Sequence, residues 1–288
     1  MAIVGHKKSG EYDVWVLSAG RVKMDGGAMF GVVPRPLWEK SFYPDDRNRI
    51  GLAMKCLLVR GKGEIVLVET GFGGKVTEKL REIYALDESD GLDFSLQKLG
   101  ISPEEITRVV LTHLHQDHAG GSTVSTDEGY APAFPNAVYY VQNGEWNDAE
   151  LADGQTVNGY RYDEVMLPLK DAGQIELLEG EGAVCPGVEV LLTPGHTRKH
   201  QSIIIHTDED IFCFVGDLIP TTHHLKRIYV MAYDLYPRET YVVKQKIMER
   251  AFEEKWIIVW PHDPDIAWAY LDRDAQGFFA PRSISKSP

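Results

Sequence analysis

Short apolar runs separated by glycine- and proline-bearing polar turns recur along the chain, and their lengths predict alternating strands and helices. Residues 11–18, 53–60 and 64–70 read as strands, the last two joined by Gly61-Lys62-Gly63, a hairpin signal. Helical patterns follow at 76–86 and 92–99, and Ser102-Pro103-Glu104-Glu105 then turns into an apolar run, Ile106, Val109, Val110, Leu111, with the character of a buried strand. Residues 137–141 read as another strand, with Asn143 expected to cap the helix after it. Short strands return at 188–193, 202–207 and 211–216, the last two paired around Asp208-Glu209-Asp210. The clearest helix is 238–255, where Val243, Ile247 and Ala251 recur beside Met248 and Phe252 as a core stripe, and a strand at 256–260 follows it. Such alternation predicts an α/β fold. Two stretches, 19–48 and 153–173, read as loops. The first carries Asp25-Gly26-Gly27-Ala28-Met29-Phe30-Gly31, Pro34, Pro36 and Trp38, too apolar for a solvated linker and long enough to suggest a functional loop.

The chemistry concentrates where the apolar run 106–111 ends, at Thr112-His113-Leu114-His115-Gln116-Asp117-His118-Ala119-Gly120-Gly121. Imidazoles two apart on extended backbone point to one side, and Asp117 and His118 extend the set where the chain turns away, so one loop can feed two adjacent metal ions. Three later strands each end in a ligand type at a turn: His196 in Thr193-Pro194-Gly195-His196, Asp217 in Val215-Gly216-Asp217, and His262 in Pro261-His262-Asp263. Glycine or proline just before the ligand suits a sharp turn that projects a side chain into a shared cleft. Each alone would pass for an ordinary polar turn; together with HxHxDH they form a ligand set.

Composition narrows the partners. Thirty basic residues against 43 acidic ones give a net charge of −13, which repels nucleic acid, and no basic patch offsets it. No segment approaches the length of apolar chain that spans a membrane, and residues 1–10 lack the apolar stretch of an export signal. Cys56, Cys185 and Cys213 are odd in number and far apart, as expected of buried free thiols in a reducing compartment. A cytoplasmic protein with a small-molecule substrate is expected, its oligomeric state open, a homodimer included.

In these residues the chain resembles the metallo-β-lactamase fold hydrolases, from Leu67-Val68-Glu69-Thr70-Gly71 through HxHxDH, Pro194-Gly195-His196 and Gly216-Asp217 to His262. The resemblance implies a four-layer αββα sandwich forming one domain over 1–281, with 282–288 expected as a disordered tail. It also implies that His113, His115 and His196 hold one ion, that Asp117, His118 and His262 hold another, and that Asp217 bridges them. An acid at the bridging position argues against a β-lactam substrate, and Glu69 stands where the family usually has aspartate, which is expected to alter contacts near the metal loop. The stretch after His262 is expected to be too short for the glutathione-binding region of glyoxalase II, and the acidic surface is unlike transfer-RNA processing members. What remains is similar to the lactonase and phosphotriesterase-like branch, including acyl-homoserine lactonases and methyl parathion hydrolase, although the tyrosine those lactonases carry soon after the bridging aspartate is missing from Asp217-Leu218-Ile219-Pro220-Thr221-Thr222-His223-His224.

Imidazole and carboxylate ligands without thiolate suit two zinc ions, with manganese, iron or cobalt also compatible. A solvent hydroxide shared by two ions would attack an ester or phosphoryl centre, with Asp217 bridging and Asp117 passing a proton to the leaving group. A lactone is the expected substrate, because an apolar loop suits acyl chains. Phosphotriester or aryl ester hydrolysis and iron-dependent oxidoreduction are the alternatives from other classes, and a non-catalytic metal module is a third. Met29, Phe30 and Trp38 are candidates for the substrate wall, with core filling as the competing reading. His223, His224, Tyr229 and Tyr233 are further candidates, against solvated-loop or packing roles.

Overall fold

The computed structural model describes residues 2–154, 156–157 and 159–284. Strands β1 (Ile3–Ser9), β2 (Tyr12–Asp25), β3 (Arg49–Gly61), β4 (Glu64–Val68) and β5 (Arg108–Val110) open a sheet, and a separate hairpin, β6 (Thr123–Thr126) and β7 (Gly129–Pro132), precedes its last members, β8 (Val138–Gln142) and β9 (Ile175–Leu178). The second sheet follows in chain order as β10 (Gly182–Cys185), β11 (Val188–Leu192), β12 (Gln201–His206), β13 (Ile211–Phe214), β14 (Ile257–Val259), β15 (Trp268–Arg273) and β16 (Phe279–Arg282).

Side-chain parity along the strands creates the layers, because neighbours on a strand point to opposite faces. Val14 and Val16 of β2, Leu57 and Val59 of β3, and Val66 and Val68 of β4 face Ile203, Ile205, Phe212, Phe214, Ile257 and Val259 in the apolar layer between the sheets. The intervening Trp15, Leu17, Cys56, Leu58 and Leu67 face the opposite way, into a core roofed by the helix Leu92–Leu99 and the segments around residues 29–42. On the far side Ile204, Cys213 and Ile258 meet Ile247, Met248 and Ala251 of the helix Pro237–Glu253, the stripe expected from its periodicity. Three apolar layers between four layers of structure make the αββα sandwich. All three cysteines are buried and unpaired.

Several expectations need correction. β2 runs on to Asp25, so the long loop is shorter than 19–48 and contains the helical turns Gly26–Phe30 and Arg35–Trp38. Asn143 is not the cap: the helix Asn143–Glu150 takes Gln142 in that position, without a side-chain bond. The stretch 153–173 holds helical turns at Tyr162–Met166 and Leu167–Asp171. Arg282, expected in a tail, pairs with Tyr270 across β15 and β16, and Ile284 packs against the layer between the sheets; residues 285–288 lie outside the described residues. Among the described residues no helix is long and apolar enough to cross a membrane.

The topology puts strand ends where the chemistry needs them. β4, β5 and β8 run parallel, as do β13 and β14, so the carboxyl ends of β5, β13 and β14 can open onto a common cleft. The two sheets are bonded together beside it: Gln201 donates to the Leu111 carbonyl at 2.8 Å and accepts from Gln142 at 2.8 Å. Removing a filled position of the middle layer should therefore be costly. Phe212→Ala should destabilise the fold by roughly 3–5 kcal/mol, whereas Phe278→Ala, on a half-exposed ring, should stay within about 0.5 kcal/mol; urea unfolding midpoints of the two variants check the contrast.

Candidate metal centre

His113 and His115 leave the end of β5 on extended backbone, and the single helical turn Gln116–Ala119 swings Asp117 and His118 toward the same point. The turn is clamped from β4: Thr70 donates from both its amide and its hydroxyl to the His118 carbonyl, at 2.8 and 2.9 Å. Glu69 beside it adopts the left-handed region at φ 65, a cost of roughly 1–2 kcal/mol for a residue with a Cβ. In that conformation its carboxylate accepts from the Thr112 amide at 2.7 Å and lies 3.2 Å from His118 Nδ1. The glutamate at this position thus ties the start of the metal loop, through Thr112, to His118.

The later ligands arrive from the second sheet. His196 projects from the β11–β12 connection after Gly195, whose φ of 142 and close approach to Thr240 leave no room for a Cβ. Asp217 lies in a helical turn after β13, where Gly216 has φ 56 and a Cβ would collide with His200. His262 follows β14. The outcome is three overlapping donor groups whose atoms lie within 4.8 Å of one another: His113, His115 and His196; His113, His118 and Asp217; and Asp117, His118 and His262. Asp217 spans them, with Oδ2 3.3 Å from His196 Nε2 and Oδ1 3.1 Å from His262 Nε2.

The donor set fits metal ions on two independent counts. The inward nitrogens crowd together, His113 Nε2 and His196 Nε2 lying 3.1 and 3.0 Å from His115 Nδ1. Meanwhile the outward nitrogens are engaged elsewhere: His196 Nδ1 with Asp234 at 2.9 Å, His262 Nδ1 with the Ala53 carbonyl at 2.9 Å, and His113 Nδ1 with Thr112 Oγ1 at 2.9 Å. An imidazole that donates from its outer nitrogen turns a lone pair inward, the arrangement of a metal-binding histidine. In addition, Asp217 Oδ1 is buried without a hydrogen-bond donor, a vacancy a cation satisfies. The charges within the cluster pull both ways: burial is outweighed at His118 by Asp217, Asp117 and Glu69, which hold that imidazole well above the usual range, and at His196 by Asp217 and Asp234, which raise it. Burial, reinforced by the neighbouring imidazoles, holds His113 and His115 well below the usual histidine range. Burial works against ionising Asp217, yet His118, His262 and His196 outweigh it and hold the carboxyl well below its usual range.

A cavity of about 360 Å³ opens above these groups. His115, Asp117, His196, Asp217 and His262 form its floor, and Met24, Met29, Met231 and Leu235 give it apolar walls, with the phenols of Tyr84 and Tyr233 at its side. Of the residues expected to line the substrate site, Met29 and Tyr233 do. Phe30 and Trp38 do not: both are almost wholly buried and stack on each other at 5.5 Å in the core. Tyr229 meets Phe30 edge-on, and His224 stacks on the same ring at 5.0 Å while engaging the Met29 carbonyl. His223 packs against Phe42, away from the cavity lining. These side chains support the wall from behind. Met24, Tyr84, Gln116, Met231 and Leu235 escaped sequence reasoning because nothing in their local pattern separates a cavity wall from ordinary core. Asp234 and His200 were missed too; His200 accepts from the Asp217 amide at 3.1 Å and is kept neutral, its pKa pressed to about 3 chiefly by burial.

The sequence pattern of the Metallo-beta-lactamase superfamily matches residues 52–274. The chain belongs to that superfamily. An N-acyl homoserine lactonase of Bacillus cereus is 29% identical over 172 residues, a match spanning 56% of this chain and only 62% of that relative's length. N-acyl homoserine lactonase AttM of Agrobacterium fabrum is 28% identical over 203 residues, covering 68% of this chain and 72% of that one. The crystal structure of a probable metal-dependent hydrolase from Staphylococcus aureus superposes with a TM-score of 0.87 at 29% identity, covering 96% of this chain and 99% of that one. AidC, a dizinc quorum-quenching lactonase in complex with a product, shares the metallo-β-lactamase fold at a TM-score of 0.78 and 21% identity, over 98% of each chain.

Two outcomes follow from the side chains behind the wall. Phe30→Ala and Trp38→Ala should lower the melting temperature by the several degrees or more that a loss of about 3–5 kcal/mol produces, while metal content and the shape of the cavity floor, read from the bound-metal spectrum, stay at wild-type level. Burial presses the His224 pKa from 6.5 to about 3, so folding favours its neutral ring. That stability is complete above pH 6.5 and is lost as pH falls from 6.5 toward 3, because the unfolded chain takes up the proton first. Unfolding free energies measured across this range should fall less steeply for His224→Asn than for the wild type.

Proposed function

We propose that this chain is a metal-dependent hydrolase that uses two divalent ions, zinc foremost, to open the ring of an N-acyl homoserine lactone or a closely similar lactone. The observation that carries the reading is a floor of converging imidazole and carboxylate donors beneath a cavity with apolar walls, in a chain whose relatives are N-acyl homoserine lactonases. The volume suits a small ring with a short to medium acyl chain.

His113, His115 and His196 would hold one ion and Asp117, His118 and His262 the other, with Asp217 reaching both. Ions bound there would supply Lewis acidity and an acidified solvent nucleophile. The protein's own residues do the rest. Thr112, Asp234 and the Ala53 carbonyl fix the imidazoles so that their lone pairs stay inward. Asp117 is the more accessible of the two carboxylates and can hold the proton that the departing alkoxide takes up. Tyr84 and Tyr233 present phenolic hydroxyls to the cavity, each able to donate to a carbonyl oxygen; burial raises both pKa values, so both stay protonated. Met24, Met29, Met231 and Leu235 exclude water and bind an acyl chain by area.

Purified protein should bind about two ions per chain and open N-acyl homoserine lactones far faster than β-lactams, with ¹⁸O from solvent appearing in the product carboxylate. Chelation should abolish turnover and added zinc restore it. Asp117→Asn should lower kcat by roughly 10²- to 10⁴-fold. A preference for phosphotriesters in a parallel screen, or oxygen uptake by protein that retains iron, would overturn the lactone reading.

A further inference from the structure

We infer that Glu145 is a positioning residue that sets the geometry of the His113, His115 and His196 group by tying together the three segments around it. Glu145 sits in the helix Asn143–Glu150 and is completely buried. Its Oε1 accepts from the Leu114 amide at 3.2 Å and from the Tyr160 hydroxyl at 3.3 Å, and its Oε2 accepts from the Thr197 hydroxyl at 2.6 Å. Each partner adjoins a ligand. Leu114 lies between His113 and His115, Thr197 follows His196, and the Tyr160 ring packs 5.1 Å from the His115 ring.

A buried carboxylate is costly unless every lone pair it turns to the protein is used. Here three donors from positions 31, 15 and 52 residues away meet a group that only accepts. An apolar side chain could fill the space, but it could not fix the β5 loop and the β11–β12 connection relative to each other. Burial pushes the Glu145 carboxyl above its usual range, and the Thr197 hydroxyl, the Leu114 amide and His196 each work against that rise, so the same contacts that tie the segments together favour the ionised group. The other donor group is steadied by different residues: Thr70 and Glu69 at His118, and Ala53 at His262. Behind His262, Lys55 donates to the Asp263 and Ile266 carbonyls. Glu145 therefore braces the segments of His113, His115 and His196, and none of its hydrogen bonds reaches a neighbour of Asp117, His118 or His262.

The inference rests on these residues being metal ligands and is independent of the lactone, so it is tested without substrate. Metal-free wild type and Glu145→Gln are titrated with cobalt(II) against a chelating competitor, the d–d spectrum reporting each binding event, and the metal-free melting temperature is recorded. His262→Ala identifies the event that belongs to the other group. In Glu145→Gln the amide turns a donor toward donors and the charge is gone, so the event that survives His262→Ala should weaken by roughly 10- to 100-fold with an altered d–d band, while the other event keeps its affinity. Thr197→Val, which leaves Glu145 in place and cuts only its tie to the His196 segment, should weaken the same event to a smaller degree. Equal weakening of both events, or unchanged affinities with only a lower metal-free melting temperature, would reduce Glu145 to a structural residue and overturn the inference. Should Glu145→Gln fail to fold, Thr197→Val decides alone, and unchanged affinity there overturns it.

Discussion

Lone pairs converging on one point repel, and the whole edge of this sandwich is organised to hold them there. The nitrogens of His113, His115 and His196 approach to 3.0–3.1 Å, and Asp217 sets an unsatisfied carboxylate oxygen beside His262 and His118. Rotation about the side chain would relieve the crowding, and four of the five imidazoles are held against it by a partner at the other nitrogen. Hence the partners: Thr112 at His113, Asp234 at His196, the Ala53 carbonyl at His262, and Glu69, in the left-handed region, at His118. Strained backbone beside a ligand is where functional demand overrides local preference.

Apart from Thr112, which adjoins its ligand, those partners come from β3, the turn just after β4 and the connection after residue 225, so the constraint at the site fixes elements far apart in sequence. Buried lysines complete the bracing. Lys244, on the helix Pro237–Glu253, donates to the carbonyls of His224, Lys226 and Tyr229, and burial lowers its pKa to about 7. Three carbonyls converging on three ammonium hydrogens hold the segment that continues into Met231, Tyr233 and Asp234, linking the cavity wall to the residue that orients His196.

What could be read from sequence was what is local. HxHxDH spans few residues, and the geometry of an extended segment followed by one helical turn is enough to cluster its side chains. His196, Asp217 and His262 were legible because a glycine or proline before a ligand at a strand end leaves a trace in the sequence. Asp234 and Glu145 left none, since each acts 38 residues or more from at least one partner and looks like any acid on a turn or a helix. Phe30 and Trp38 misled for a related reason: an apolar loop must bury its rings, but whether against a ligand or against β2 and β3 is decided by tertiary packing. β1 escaped notice because it is an edge strand whose half-buried and exposed positions alternate through His6, Lys7 and Lys8, polar residues that suit an edge and hide a strand.

The floor and the walls of the cavity differ physically, and the difference bears on how such a site can change. The floor is held by hydrogen bonds whose loss leaves buried polar atoms orphaned, so it tolerates little movement. The apolar part of the walls is mostly methionine, unbranched and able to repack around different shapes with small penalty. Substitution at Met24, Met29 or Met231 alters the cavity without touching any partner of a ligand nitrogen, because none of these side chains is hydrogen-bonded to the donor groups. Substrate selection and metal geometry are thus carried by separate sets of residues. They meet at the segment from Met231 to Leu235, which lines the wall and carries Asp234 against His196. A change in the path of that backbone, unlike a change in its side chains, would move wall and floor together.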